Sequence, residues 1–439
     1  MTQGDPVSLM IRFAVPMVIG SIFQSLYTMV DQAVLGKFAG STSLAAIGAT
    51  TSTVSFLLLT ATSVTTAVSI VMSQFVGETN QKGIRQSLVS AIYLLLGFSV
   101  VTALIGVVGA RPLMKLLNTP ENIIDGAVLY IRIISIFCFA QFFYNGSATV
   151  LRALGDSRTP LYFLIVCSFL NVVLDLWAVI VMHMGIAGVG LATVLSQFVS
   201  AVLCTVVMFR KYPELHLEKE DLQVNRENML RIFKMGIQMA LQSAFLSIGM
   251  MAITRIINGY GSDIVAAFTV GSSVQSLCVM FFSQFSFGFS VYAGQNYGAK
   301  KADRIHLGVK KMAVMNGSMA LVMAILAEIF AGPLVSLYVN AEEAGVTAAS
   351  ISFVRIQSLF MPFLAWIWLL NSTLRGMGRI KETMVSSFVE LGSKIGFSAG
   401  LPILMGYTGI WFAAPLGWIL GALPSLYFYL KGDWEKKLR

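Results

Sequence analysis

Charge is what this 439-residue chain has least of. Acidic residues number 21 and basic residues 30, together 12% of the sequence, against 56% hydrophobic residues. The mean hydropathy of +0.78 is one that soluble domains of this size do not reach, so a water-soluble enzyme or binding module is excluded. Cysteine is sparse as well: Cys138, Cys167, Cys204 and Cys278 all fall inside hydrophobic segments, at unrelated spacings and with no CxxC pair, which leaves neither a disulfide framework nor a thiolate metal site. Histidine is limited to His183, His216 and His306, far apart and without an HExxH pattern. A structural or catalytic metal centre therefore finds little support. No GxxxxGK[ST] phosphate loop occurs, so ATP is not expected as an energy source. Gly188-Val189-Gly190 opens an apolar helix with no strand before it and reads as helix packing, not as a dinucleotide site.

What the chain has in abundance is apolar runs. Twelve segments reach the roughly 20 residues that a membrane span requires. They include Ser8 to Phe38 (first), Ala127 to Val150 (fourth), Pro160 to His183 (fifth), Gly188 to Phe209 (sixth), Arg231 to Gly259 (seventh), Ile264 to Ala293 (eighth), Ala349 to Thr373 (tenth) and Thr383 to Leu404 (eleventh). The first run is too long for a signal peptide, contains Asp31 and lacks a cleavage pattern, so it is expected to stay in the mature chain. Basic residues collect on one side of the predicted topology: Lys82, Arg85, Arg152, Arg158, the Lys211 to Lys234 region, and the tail's Lys431, Lys436, Lys437 and Arg439. The opposite loops carry only Lys37, Arg111 and Lys115, with Arg255 close by, which predicts both termini in the cytoplasm of a multi-pass plasma-membrane protein. The net charge of +9 is explained in this way, and no nucleic-acid partner is expected.

The sequence repeats itself at a displacement of about 221 positions. Gln74-Phe75-Val76-Gly77 falls on Gln295-Asn296-Tyr297-Gly298 and Pro112-Leu113 on Pro333-Leu334. With a two-residue adjustment, Leu151-Arg152-Ala153-Leu154-Gly155 falls on Leu374-Arg375-Gly376-Met377-Gly378. The predicted fold is an all-α integral membrane protein. Its twelve transmembrane helices form two pseudo-symmetric six-helix lobes, residues 1–210 and 230–439, around a central cavity, joined by a polar cytoplasmic linker at 211–229. Such a plan is that of a secondary transporter. One chain already builds the central site, so a monomer is expected.

Polar side chains inside the spans single out a site. Asp31 lies deep in an apolar run, and intramembrane acids are kept mainly where they act. On the same helix Gln24, Tyr27 or Thr28, and Asp31 form a stripe at i, i+3 or i+4, and i+7. Asn171 and Asp175, four residues apart, share one face of the fifth span, while Thr193 and Gln197 share one on the sixth. Two carboxyl groups in one low-dielectric cavity do not both ionise cheaply, so Asp31 and Asp175 are expected to titrate as a coupled pair. Pro16 removes one helical hydrogen bond from the first span and makes a bend there cheap, a candidate hinge. Glu390 and Lys394 on the eleventh span form an i, i+4 acid–base pair that reads as a self-neutralised structural pair. Arg132 and Arg355 read as snorkelling or packing residues, and Asp156 and Arg158 as organisers of the turn before Pro160.

The run Gln24-Ser25-Leu26-Tyr27-Thr28-Met29-Val30-Asp31, the loop Leu151-Arg152-Ala153-Leu154-Gly155-Asp156-Ser157-Arg158-Thr159-Pro160, and the pair Asn171 and Asp175 together resemble prokaryotic multidrug and toxic compound extrusion (MATE) transporters, over essentially the whole chain. That resemblance implies an antiporter exporting organic cations or amphipathic drug-like compounds in exchange for inward H+ or Na+. It implies a coupling-ion site in the N-lobe on Asp31, Asn171 and Asp175, with Thr193 as neighbour; no other cofactor is implied. Hard oxygen ligands there suit Na+ as well as a proton, and the two stay open. Another branch of the family places acidic ion ligands on the seventh and tenth spans. Here those spans carry Gln238, Gln242 and Asn371 and no carboxylate in their cores, so they are assigned with Gln24, Tyr27 and Gln197 to the lining of the substrate cavity. A lipid-linked precursor flippase of the wider superfamily is the alternative transport reading. A membrane-embedded enzyme lacks a nucleophile or metal constellation at depth. The expected partners are small-molecule substrates and the lipid bilayer.

Overall fold

Hydrocarbon offers no hydrogen-bond partner to a backbone, so a chain that spans it closes its N–H and C=O groups within helices. The computed structural model, which describes residues 1–38, 40–339, 343–436 and 438, is helical accordingly, with no strand among the described residues. Lys437 and Arg439 of the basic tail lie outside them. The helices are α1 (Pro6–Phe38), α2 (Ser41–Gly77), α3 (Gln81–Leu116), α4 (Glu121–Ile136), α5 (Cys138–Ala153), α6 (Arg158–Leu176), α7 (Gly185–Lys211) and α8 (Arg226–Asn258). They continue with α9 (Ser262–Gly298), α10 (Ala302–Ser336), α11 (Ala344–Leu359), α12 (Met361–Gly376), α13 (Ile380–Gly400), the short α14 (Pro402–Met405) and α15 (Thr408–Leu430).

Ten of these helices, α13 taken together with α14, are long and apolar enough to cross a membrane singly. The bent pairs α4/α5 and α11/α12 complete twelve spans. The sequence reads the fourth and tenth spans as continuous, whereas the structure bends them by 49° and 52° at Phe137 and Phe360. In the second pair Pro362 supplies the cause: it lacks the N–H that would bond the carbonyl four residues back. The first pair bends without a proline, around Cys138, whose Sγ lies 3.3 Å from the Ser99 carbonyl.

The repeat is visible in the backbone. Left-handed residues recur in register: Gly40 and Gly261 (φ 87° and 90°), Thr79 and Lys300 (both 56°), Gly155 and Gly378 (96° and 78°), Gly185 and Gly406 (53° and 60°). The two halves thus turn their corners at corresponding places with the same backbone geometry. The chain packs as two compact units, residues 15–240 and residues 1–14 with 241–439, so it passes from one to the other inside α1, next to Pro16, and inside α8.

In the unit of residues 15–240, the polar 211–229 stretch is ordered. Two 3-10 turns, Pro213–Leu215 and Lys219–Leu222, carry it, and Arg85 of α3 meets Asp221 at 2.9 Å and Glu218 at 3.1 Å. Asn228 at the start of α8 donates to Ser87 Oγ at 2.9 Å, and Arg231 donates to Gln74. The turn before α6 is built on Asp156 as expected: its carboxylate accepts from the Arg158 and Thr159 backbone N–H groups (3.1 and 3.0 Å) and the Thr159 hydroxyl (2.6 Å). It also accepts from Lys211 Nζ at 2.7 Å and the Tyr212 hydroxyl at 2.9 Å, which ties the end of α7 to that turn. Burial works against ionisation of this carboxylate, but the bonds from Lys211, Thr159 and Tyr212 outweigh it and hold its pKa down at about 2.

In the other unit, Asp5 pairs with Lys311, and Arg304 donates to the Gly4 carbonyl at 3.0 Å. Beyond α15 the chain folds back so that Trp434 is fully buried and stacks on Tyr429. Where α12 crosses α9, a Cβ on Gly376 would stand 2.3 Å from the Ser290 carbonyl oxygen, so only glycine admits that approach.

Candidate functional site

Val34 and Leu35 of α1 pack with Val179, just beyond the end of α6, and with Val189 of α7 in one apolar cluster, and polar groups near such packing find one another or stay unmet. Asp31 lies in the last third of α1, which runs unbroken through Pro16. Asn171 and Asp175 sit on α6, 1% and 0% exposed. Immediately after Asp175 the helix widens into a π-helical turn, Trp177–Val181, the kind of local unwinding that recurs at functional positions.

The Asp31 and Asp175 carboxyl groups are near enough to act on one another. Among the described residues no hydrogen-bond donor meets Asp31 Oδ1, either oxygen of Asp175 or Asn171 Oδ1, and no acceptor meets Asn171 Nδ2. Each buried polar atom left unmet costs about 1–3 kcal/mol, and more when charged, and here four oxygens and one amide nitrogen stand unmet on three side chains. Oxygen is the only acceptor type present, which suits H+ and Na+ alike. Among the described residues no cluster of three or more His, Cys, Asp or Glu side chains suited to a transition metal occurs.

Asp31 also borders a cavity of about 190 Å³ in this unit, lined by Thr28 and Gln32 of α1, Thr50, Thr51 and Ser55 of α2, Tyr130 of α4 and Val189 of α7. Its hydroxyls are arranged with a common sense. Thr28 donates to the Gln24 carbonyl (2.9 Å), and Thr50 and Thr51 donate to the Ile47 carbonyl (2.7 and 3.4 Å). With those protons committed to their own helices, the lone pairs are what they present to a neighbour, and the lining is rich in acceptors. Sequence reasoning did not reach Thr50, Thr51, Ser55 or Tyr130. The cluster Thr50-Thr51-Ser52-Thr53 in α2 was the available signal, but hydroxyls are common in membrane helices and nothing local distinguishes this group.

The remaining candidates are distributed. Thr193 donates to the Val189 carbonyl at 2.9 Å within α7, and Gln197 lies one turn further on; neither lines the 190 Å³ cavity. Gln24 and Tyr27 stand on α1 outside that lining as well. Gln238 and Gln242, both on α8, fall in different units. Gln242 is 2% exposed, donates to the Thr383 carbonyl (3.2 Å) and Ser387 Oγ (2.5 Å), and accepts from Arg375 at 3.2 Å. Asn371 accepts from Ser425 at 2.6 Å. Lys394 and Glu390 bond at 2.5 Å, with Lys394 5.8 Å from the centre of the Trp418 ring. Arg132 donates to the Val107 carbonyl at 3.2 Å, and Arg355 pairs with Glu328 at 3.4 Å.

Comparison with known proteins fits this architecture. The MatE family model matches residues 16–177 and again 239–399, one copy in each half of the repeat. A Bacillus subtilis (strain 168) protein described as a probable multidrug resistance protein, YpnP, is 27% identical over 435 residues, covering 99% of this chain and 97% of that one. A Thermotoga maritima probable multidrug resistance protein, NorM, is 24% identical, covering 98% and 93%. Among solved structures, an outward-facing multidrug resistance MATE family transporter of the MOP superfamily superposes with a TM-score of 0.90 at 21% identity, over 99% of this chain and 98% of that one, which supports the fold. Two matched family copies, a twelve-span helical fold and an acid–amide cluster inside the spans lead to one conclusion: this chain is a membrane transporter, not an enzyme, and belongs to the MATE family.

Proposed function

We propose that the chain is a secondary antiporter that exports organic cations or other amphipathic drug-like compounds in exchange for inward H+ or Na+, with the ion held by Asp31, Asn171 and Asp175. The observation that carries this reading is the pairing of the half-buried Asp31 carboxyl with the fully buried Asp175 carboxyl, beside an amide with no partner of its own. A carboxyl pair bonds only when it shares a proton, and two ionised carboxylates repel unless a cation lies between them. Loading and unloading the ion therefore switches the contact between α1 and α6 on and off.

The rest of the cycle follows from that switch. Loss of the ion frees the end of α1 that carries Asp31, and Pro16, which leaves the Arg12 carbonyl without its helical donor, is where the helix yields. A substrate favouring the ion-free arrangement and an ion favouring the other exclude one another, which is the requirement for exchange. The lobes, read from the sequence as 1–210 and 230–439, alternate in the plasma membrane, with both termini cytoplasmic and the monomer as the working unit. Tyr27, Gln24, Gln197, Gln238, Gln242 and Asn371 are assigned to the substrate path, and Thr193 to the ion site. The coverage of almost the entire length of relatives described as probable multidrug resistance proteins supports the substrate class.

The decisive experiment is efflux from inverted vesicles under an imposed pH or Na+ gradient, comparing wild type with Asp31→Asn and Asp175→Asn. Gradient-driven accumulation by wild type and its loss in both variants, with normal membrane insertion, is the expected result. Undiminished coupling in either variant overturns the assignment of the ion site.

A further inference from the structure

The second cavity of note lies in the unit that contains α9 to α15 and shares no residue with the one at Asp31. It occupies about 330 Å³ between α9, α10 and the bent pair α11/α12, inside the size range at which small-molecule sites begin, about 300 Å³. Its rim is formed by Leu277 of α9 and by Leu326 and Phe330 of α10, which are 51%, 43% and 48% exposed. Leu277 stands in the middle third of α9, and on α10 the exposed flank continues through Ile325 and Ile329. The open side is thus apolar at the middle of a spanning helix, as a surface in contact with hydrocarbon is.

Its floor is polar in one place. Gln357 is 2% exposed and donates its Nε2 to the Trp411 carbonyl at 2.8 Å, which turns its Oε1 toward Gln275. Gln275 donates its own Nε2 to that oxygen at 3.2 Å. The chain of amides fixes the remaining atom: Gln275 Oε1 is an acceptor on a cavity-lining residue, and no donor among the described residues reaches it. An unmet carbonyl beside hydrocarbon attracts a donor strongly because no water competes for it. No charged side chain is among the lining residues, so nothing there favours an ion over a neutral molecule.

We propose that this cavity is a bilayer-facing binding site for a neutral amphipathic small molecule, with its apolar body between α9 and α10 and a single hydroxyl or amide N–H donated to Gln275 Oε1. A lipid acyl chain satisfies the apolar walls but leaves that oxygen unmet, and so fits less well. The site goes beyond the antiport reading, since it needs neither ion nor gradient.

Photolabelling of the full chain in phosphatidylcholine vesicles, with no gradient imposed, tests it. The probes are a diazirine-bearing octanol, the corresponding diazirine-bearing octane, and a phosphatidylcholine with the diazirine on its acyl chain, with adducts located by mass spectrometry. Octanol adducts are expected on Leu277, Cys278 and Phe330, about fivefold above those of the octane, the ratio that one modest hydrogen bond gives. Gln275→Leu should bring octanol down to the octane level, and Ala327→Phe, which fills the cavity, should suppress both. Equal labelling by octane and octanol, labelling of these residues by the phosphatidylcholine alone, or octanol adducts unchanged in Gln275→Leu overturns the proposal. Because no transport is measured, failure of the antiport reading leaves this result intact, and the reverse holds too.

Discussion

Lys394 of α13 stands at the repeat position of Asn171 of α6. Where one unit buries an uncharged amide beside two carboxyl groups, the other buries an ammonium bonded to Glu390 at 2.5 Å and set against Trp418. The two halves share left-handed corner positions and differ in charge at this level, and the ion coupling proposed above rests on the unit of residues 15–240 alone. Four predictions test that division and the packing around it.

Asn171→Leu separates an ion-binding role from a structural one. Both polar atoms of this amide lack partners, so removing them should leave the ion-free protein as stable as before, or more stable by up to about 1 kcal/mol. The same change should abolish the part of the thermal stability that depends on the added ion. Unfolding temperatures measured with and without Na+, and at several pH values, give the answer; a large loss of stability in the ion-free state refutes it.

The Glu390–Lys394 pair is expected to behave as a structural pair. Both side chains are largely buried, 15% and 16% exposed, so Lys394→Met alone leaves a carboxylate uncompensated and should destabilise by about 3–5 kcal/mol. The double variant Glu390→Gln, Lys394→Met should recover most of that loss while keeping gradient-driven efflux. A double-mutant cycle in thermal unfolding measures the coupling.

Asp156 makes the turn between α5 and α6 acid-labile. Its pKa is held at about 2, below the ordinary carboxylate value of 3.8, so the folded state favours the ionised form. The stabilisation is complete above about pH 4 and is lost as pH falls from there through about 2. Asp156→Asn should cost about 1–3 kcal/mol at neutral pH and show a smaller further loss over that acidic window. Unfolding of both proteins followed by circular dichroism from pH 6 to pH 2 checks the sign.

Pro16→Ala restores a donor to the Arg12 carbonyl and stiffens α1. Insertion and stability should be unchanged or slightly improved, while turnover under a gradient falls about tenfold or more. Transport at the wild-type rate would remove Pro16 from the mechanism.

Much of this protein is written locally in its sequence. Hydropathy alone marks the spans, because hydrocarbon demands about twenty apolar residues wherever a helix crosses it. The repeat shows as shared motifs and returns as matched left-handed residues such as Thr79 and Lys300. Asp31, Asn171 and Asp175 stand out because a polar group costs so much in an apolar run that its presence is itself a signal. The turn at Asp156 was legible for a similar reason: an acid three residues before a hydroxyl that it can bond makes its contacts within one turn.

What required the tertiary structure was every relation across helices. That Thr50, Thr51, Ser55 and Tyr130 gather around Asp31 depends on how α1, α2 and α4 rotate about their axes, which packing sets and no single segment encodes. The break at Phe137 carries no proline to announce it, and the polar 211–229 stretch reads as a plain linker until Arg85 meets Glu218 and Asp221. Nothing near Gln242 in the sequence announces that its amide bonds with Thr383, Ser387 and Arg375. The sequence determined which polar groups enter the membrane, because burial cost acts residue by residue; the structure decided which of them meet, because a side chain's partners are set by the helices packed against it.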